Sequence, residues 1–257
     1  MNDIIWNDRT DETPWPNNAQ LFQPLELEQI LLPDNANCLY IQTFLRMCDL
    51  DFEIIYRSNA EFMSPSGKVP FLKCGPYICE ADAIVNFVNN KGYSLSKDLD
   101  PSNKADLRAF TSLVNSVLVF AELYITWCEP SVYNEVTRPR YGSGYPWPLN
   151  TVLTYKKRKQ VIKMLKPHGF YDMSINEVYK KVETCCQCLS TKLDNNNYFF
   201  GEQPTEFDAL VFGHVYTILT TPLPTNKFSA IVRGFPNIVA HCERIEKTYY
   251  PSDKSRK

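Results

Sequence analysis

Apolar positions follow two rhythms along this chain, and the change near residue 98 divides it in two. Before that point, short apolar runs rich in β-branched and aromatic residues read as strands over 28–32, 52–56, 71–74 and 77–79. Between the first two, Cys38, Ile41, Leu45 and Cys48 recur at spacings of three and four, one face of a helix that Asp34 is placed to cap. Gly75-Pro76 makes a tight turn, so the third and fourth runs are expected to pair as an antiparallel hairpin. A helix then starts near Glu80, turns Ile84, Val85 and Val88 inward, and stops at Gly92. Val69-Pro70 stands just before the third run, where a proline that cannot donate to the ladder is expected as a cis turn.

Beyond 98 no strand pattern appears. Leu107, Phe110, Val114, Val117, Leu118, Ala121 and Ile125 form a long helical stripe. Prolines at 130, 139, 146 and 148 and glycines at 142 and 144 make 129–148 read as irregular, and a helix resumes over 149–165. Ser174-Ile-Asn-Glu177 and Thr205-Glu-Phe-Asp208 are capping-box patterns, in which hydroxyl and acid satisfy amides that the first helical turn leaves unpaired. Apolar periods follow both at once, and a last helix starts at Pro236. The expected organisation is a polar tail over 1–20 with no element of its own, a βαβ-ββα half over 21–97, an all-helical half over 98–251 and a basic tail over 252–257.

Composition changes this picture by exclusion. With 27 Lys and Arg against 29 Asp and Glu, the net charge of -2 gives no global attraction to nucleic acid. Nine cysteines, an odd number scattered through apolar stretches without an N-terminal hydrophobic signal, imply reduced thiols in a cytosol-facing protein. Asp3, Asp8, Asp11 and Glu12 against the single Arg9 exclude a basic matrix-targeting presequence. No uninterrupted apolar run reaches the roughly 18 residues that cross a bilayer, so no crossing is expected.

Candidate chemistry is sparse. Ser66-Gly67-Lys68 lacks the rest of a phosphate-binding loop, since Phe62 and Val69 stand where glycine and a hydroxyl residue are required. Cys185, Cys186 and Cys188 spread around a helix with no second ligand pair nearby, so no metal is expected. His214 sits among core residues, and no feature pairs a histidine with a nucleophilic cysteine. Two surfaces remain. The loop holding Tyr141, Tyr145 and Trp147 among prolines either covers a core or offers aromatic anchors to a protein partner. Lys156, Lys157, Arg158, Lys159, Lys163 and Lys166 crowd the helix after Asn150. They form either a solvated basic face or one drawn to anionic lipid or an acidic segment.

Taken together, a βαβ-ββα half of thioredoxin-like order, Val-Pro before its third strand, Glu80 closing its fourth and a helical half with a Thr-x-x-Asp box resemble the glutathione transferase fold. The resemblance implies a cis peptide at Val69-Pro70 and structural roles for Pro70, Glu80, Thr205 and Asp208. It also implies that Glu80-Ala81 stands for an acid-serine pair, the serine being lost here. The transferase nucleophile would fall among Pro33, Asp34, Asn35, Ala36 and Asn37, none of which can serve, and Cys38 comes too late.

Longer strings are similar to the metaxin family and, within it, to the metaxin two branch: EQILLPDNA over 28–36, MSPSGKVPF over 63–71, RYGSGYPWPLN over 140–150 and QPTEFDALVFGHVYTILTT over 203–221. That resemblance implies a non-enzymatic, cofactor-free peripheral protein on the cytosolic face of the mitochondrial outer membrane. Its implied partners are metaxin one, the sorting and assembly machinery for β-barrel proteins, and motor-adaptor complexes. The other reading is a glutathione-binding transferase-type enzyme or a ligand-binding relic.

Overall fold

Five short strands make one sheet in the order β1-β5-β4-β2-β3 in the computed structural model, which describes residues 4–6, 14–26 and 29–251. They are β1 (Ile4–Ile5), β2 (Gln20–Gln23), β3 (Glu53–Tyr56), β4 (Phe71–Cys74) and β5 (Tyr77–Glu80). Strands β2 and β3 run parallel on either side of α1 (Leu32–Met47), with Leu21 opposite Ile54. Strands β4 and β5 form the antiparallel hairpin turned at Gly75-Pro76, and β4 also pairs antiparallel with β2. The backbone of Gly75 takes φ of 61°, a left-handed conformation that favours glycine. A short α2 (Ala60–Met63) precedes the hairpin, and α3 (Ala81–Asn90) follows it. The Val69-Pro70 and Trp147-Pro148 peptides are cis.

The start of the chain departs from the expectation. No strand forms over the described part of 28–32; Glu28 itself lies outside the described residues. Leu31 and Leu32 instead bury their side chains in the core of the helical half as α1 begins. A continuous apolar run does not by itself separate a buried strand from a buried helix start. Pro33 falls in the first turn, where its missing N–H costs nothing, and Asp34 sits inside that turn while Leu31 is the capping position. The tail also has structure: Ile4 and Ile5 pair with Tyr77 and Ile78, and Trp6 is buried edge-on against Phe87. Residues 7–13 and the basic tail 252–257 lie outside the described residues.

The helical half comprises α4 (Pro101–Trp127), α5 (Pro130–Val132), α6 (Arg138–Gly142), α7 (Leu149–Leu165), α8 (Ile175–Leu193), α9 (Glu206–Thr220), α10 (Lys227–Arg233) and α11 (Pro236–Tyr249). The stretch expected to be irregular is helical as far as Gly142, with one π-helical turn at Tyr133–Thr137. Pro130 and Pro139 fall at helix starts, where proline is tolerated. By length and composition α4 could cross a bilayer, with a mean hydropathy of 1.5 over its most apolar window. It is laid against α7, α8 and α9, and its Glu122 is buried opposite His214 at 2.7 Å.

Two cores result. One lies between the sheet, α1 and α3; the other fills the helical half. They meet where α1 packs along α9, the most extensive helix pair in the molecule. Gly213 permits that approach, because a Cβ there would strike Ala36 O and lie 2.8 Å from Tyr40 N.

Candidate functional site

The transferase resemblance would put a reacting group just past the first strand of the βαβ unit. That strand is β2, ending at Gln23, so the position begins earlier than the strand expected over 28–32 implied. From Pro24 to Asn37 the chain carries no Ser, Thr, Tyr or Cys. The first such residue is Cys38, fully buried on α1, where burial and the Asp34 and Glu26 charges push the thiol well above its usual value. Burial likewise raises Cys48 and Cys186 to about 12 and Cys128 to about 11. At each of these positions burial disfavours the thiolate, the form that reacts as a nucleophile. Among the described residues no cluster of His, Cys, Asp and Glu is arranged to hold a metal.

The ground above α1 is taken up by the chain itself. Arg140 donates through its guanidinium to the carbonyls of Ile30 and Glu26, each at 3.2 Å. Gln29 Nε2 donates to Ser58 O at 2.7 Å, and Tyr145 Oη donates to the same carbonyl at 3.2 Å. Glu61 on α2 accepts from Tyr141 Oη at 3.0 Å and from Lys157 Nζ at 2.6 Å. These bonds strap α6, the loop after it and α7 to the segment leading into α1 and to α2. Burial raises the Asp34 carboxyl to about 6, opposed by Lys157 and reinforced by Glu61 and Glu122. Burial disfavours the Lys157 ammonium, but Asp34 and Glu61 outweigh it and hold its pKa above the ordinary value.

The strap sorts the residues singled out in the sequence. Tyr141 is buried, edge-on to Trp127, and so is not a surface anchor; Tyr145 is half-buried and tied to Ser58. Trp147 alone of the three stands free, 82 % exposed. Of the basic group, Lys157 faces Glu61. Arg158 donates to Trp127 O at 3.0 Å, with its guanidinium over the Tyr133 ring. Both point into the body, while Lys156, Lys159, Lys163 and Lys166 are exposed. Gln29, Ser58, Glu61 and Arg140 were not foreseen. Their partners lie 29 to 114 residues away, and no local period announces them.

The remaining residues are structural. Asp208 Oδ2 accepts from Thr205 N and Oγ1, both at 2.8 Å, closing the box that starts α9. Its Oδ1 accepts from Phe199 N and from His241 Nε2, both at 3.0 Å. Pro70 is buried before β4, and Glu80 caps the start of α3 by position, with Oε1 buried and unpartnered among the described residues.

Sheet order and helical half together define a protein of glutathione transferase fold, in which the segment from Pro24 to Asn37 carries no hydroxyl or thiol. Comparison with known structures agrees on the fold. The beta-etherase of Sphingobium sp. strain SYK-6 superposes with a TM-score of 0.58 at 17% identity, over 89% of this chain and 94% of that one. Residues 38–158 match the family described as outer mitochondrial membrane transport complex protein, and 182–245 match the glutathione S-transferase C-terminal domain. Metaxin-2 of Mus musculus is 50% identical over 238 residues, 92% of this chain and 90% of its own. Metaxin-1 of the same species is 32% identical over 227 residues, 85% of this chain and 71% of its own. The chain belongs to the metaxin family, and is more similar to that metaxin-2 than to that metaxin-1.

Proposed function

We propose that this chain is a non-enzymatic component of the protein-import machinery of the mitochondrial outer membrane, seated peripherally on the cytosolic face beside a metaxin-1 partner. The observation that carries the reading is half-identity to metaxin-2 across both halves of the fold. The absence of any hydroxyl or thiol between Pro24 and Asn37 supports a binding rather than a catalytic role. Within that role, the finer reading is work with the sorting and assembly machinery on β-barrel precursors, and linkage of the organelle to motor adaptors. Depleting the chain and adding it back tests this: assembly of an imported β-barrel precursor on isolated mitochondria should fall and recover. Precipitating the chain should bring down the metaxin-1 of the same cells. Unimpaired assembly together with no co-precipitation would overturn the proposal.

A second reading rests on Glu80, whose Oε1 is buried and without a hydrogen-bond partner among the described residues, and whose counterpart in the transferase resemblance helps hold the γ-glutamyl end of glutathione. It predicts heat on titration with glutathione, and a flat calorimetric trace removes it.

A further inference from the structure

The outward stripe of α7 runs Leu149, Val152, Lys156, Lys159, Lys163 and on to Lys166 at the helix end, spaced alternately by three and four. It lies opposite the buried Thr154, Val161 and Leu165. Its first part is apolar: Leu149 is 45 % and Val152 57 % exposed, and the exposed Trp147 stands two residues before Leu149, across Pro148. Its remainder is cationic, and α7 contains no Asp or Glu. Among the described residues no carboxylate pairs with Lys156, Lys159 or Lys163. The only arginine of α7, Arg158, is turned inward on Trp127 and Tyr133.

This distribution selects among occupants. Protein interfaces favour arginine and are depleted in lysine, whereas every cation on this stripe is lysine. A flexible lysine stem lies along an apolar boundary while its ammonium reaches headgroup phosphates. Tryptophan is enriched at the same boundary. An apolar end followed by lysines along one helix of about 25 Å therefore matches the change from acyl chains to headgroups across a tilted approach.

Resting on the outer-membrane reading above, we propose that this stripe is the surface through which the protein sits on an anionic bilayer. Trp147, Leu149 and Val152 enter the interface, and Lys156, Lys159 and Lys163 meet lipid phosphates.

The test is sedimentation of the full chain with vesicles of phosphatidylcholine alone and of phosphatidylcholine with phosphatidylserine. The wild type should bind the anionic vesicles only and be released as salt rises. The triple variant K156Q/K159Q/K163Q should bind about a hundredfold more weakly, at roughly 1 kcal/mol per lysine. Trp147→Ala should weaken binding with less dependence on salt, and Lys180→Gln on α8 should leave it unchanged. All these positions are exposed, and an unchanged thermal midpoint confirms that each variant folds. No binding by the wild type at low salt, or equal binding by the triple variant, overturns the proposal. So does loss of metaxin-1 co-precipitation with vesicle binding intact, which assigns the stripe to a protein. Failure of the import reading is seen separately, as failure of the wild-type chain to bring down metaxin-1.

Discussion

Asp208 gathers four hydrogen bonds onto one buried carboxylate, from Phe199, twice from Thr205 and from His241 on α11. Replacing it by alanine strands those donors, so Asp208→Ala should lose about 3–5 kcal/mol in a urea titration, with Asp208→Asn in between. The Thr-x-x-Asp spacing made the capping half of this arrangement legible. The bond to His241 was not, because its partner sits 33 residues on and nothing local links them. Asp34 is the converse case, a carboxyl held uncomfortably. Its pKa rises from 3.8 to about 6 on folding, so the native state binds more protons than the unfolded one in that window. Its contribution is favourable in acid and is lost as pH rises through about 4 to 6. Thermal midpoints measured across that range should fall less for Asp34→Asn than for the wild type.

Among the elements, α1 and α9 depend on a glycine. Gly213→Ala would set a methyl against the backbone of Ala36 and Tyr40, which no rotamer change relieves. The expected loss is roughly 3 kcal/mol, read as a lower urea midpoint. Most helices of the second half could be placed from apolar spacing, because they have a wet side and a dry side, whereas α9, buried on nearly every side, was placed by the capping box at its start. The entry to α1 could not. Leu31 and Leu32 are buried by the other half of the molecule, and a run buried from every direction has no period to read. Ile4–Ile5 escaped for a different reason: two residues are too short a strand to show alternation. Proline content misled over 129–142, where Pro130 and Pro139 begin helices rather than break them.

At the scale of the molecule, Glu61 ties α2 to α6 and α7 through Tyr141 and Lys157. Glu61→Gln keeps an acceptor but removes the charge that holds Lys157. Amide exchange over 58–63 should quicken, with a global loss of about 1–2 kcal/mol. The transferase outline was legible from the order of elements. Family membership was legible only as strings of identity, since no spacing of chemical groups implies import. The seam between α1 and α9 has a mechanical consequence. Backbones that close leave no hinge between sheet and helices, so a pull on one half passes undiminished to the other. Stretched between its ends, the body should give way in a single rupture, the response of a rigid coupling rather than of two beads on a string.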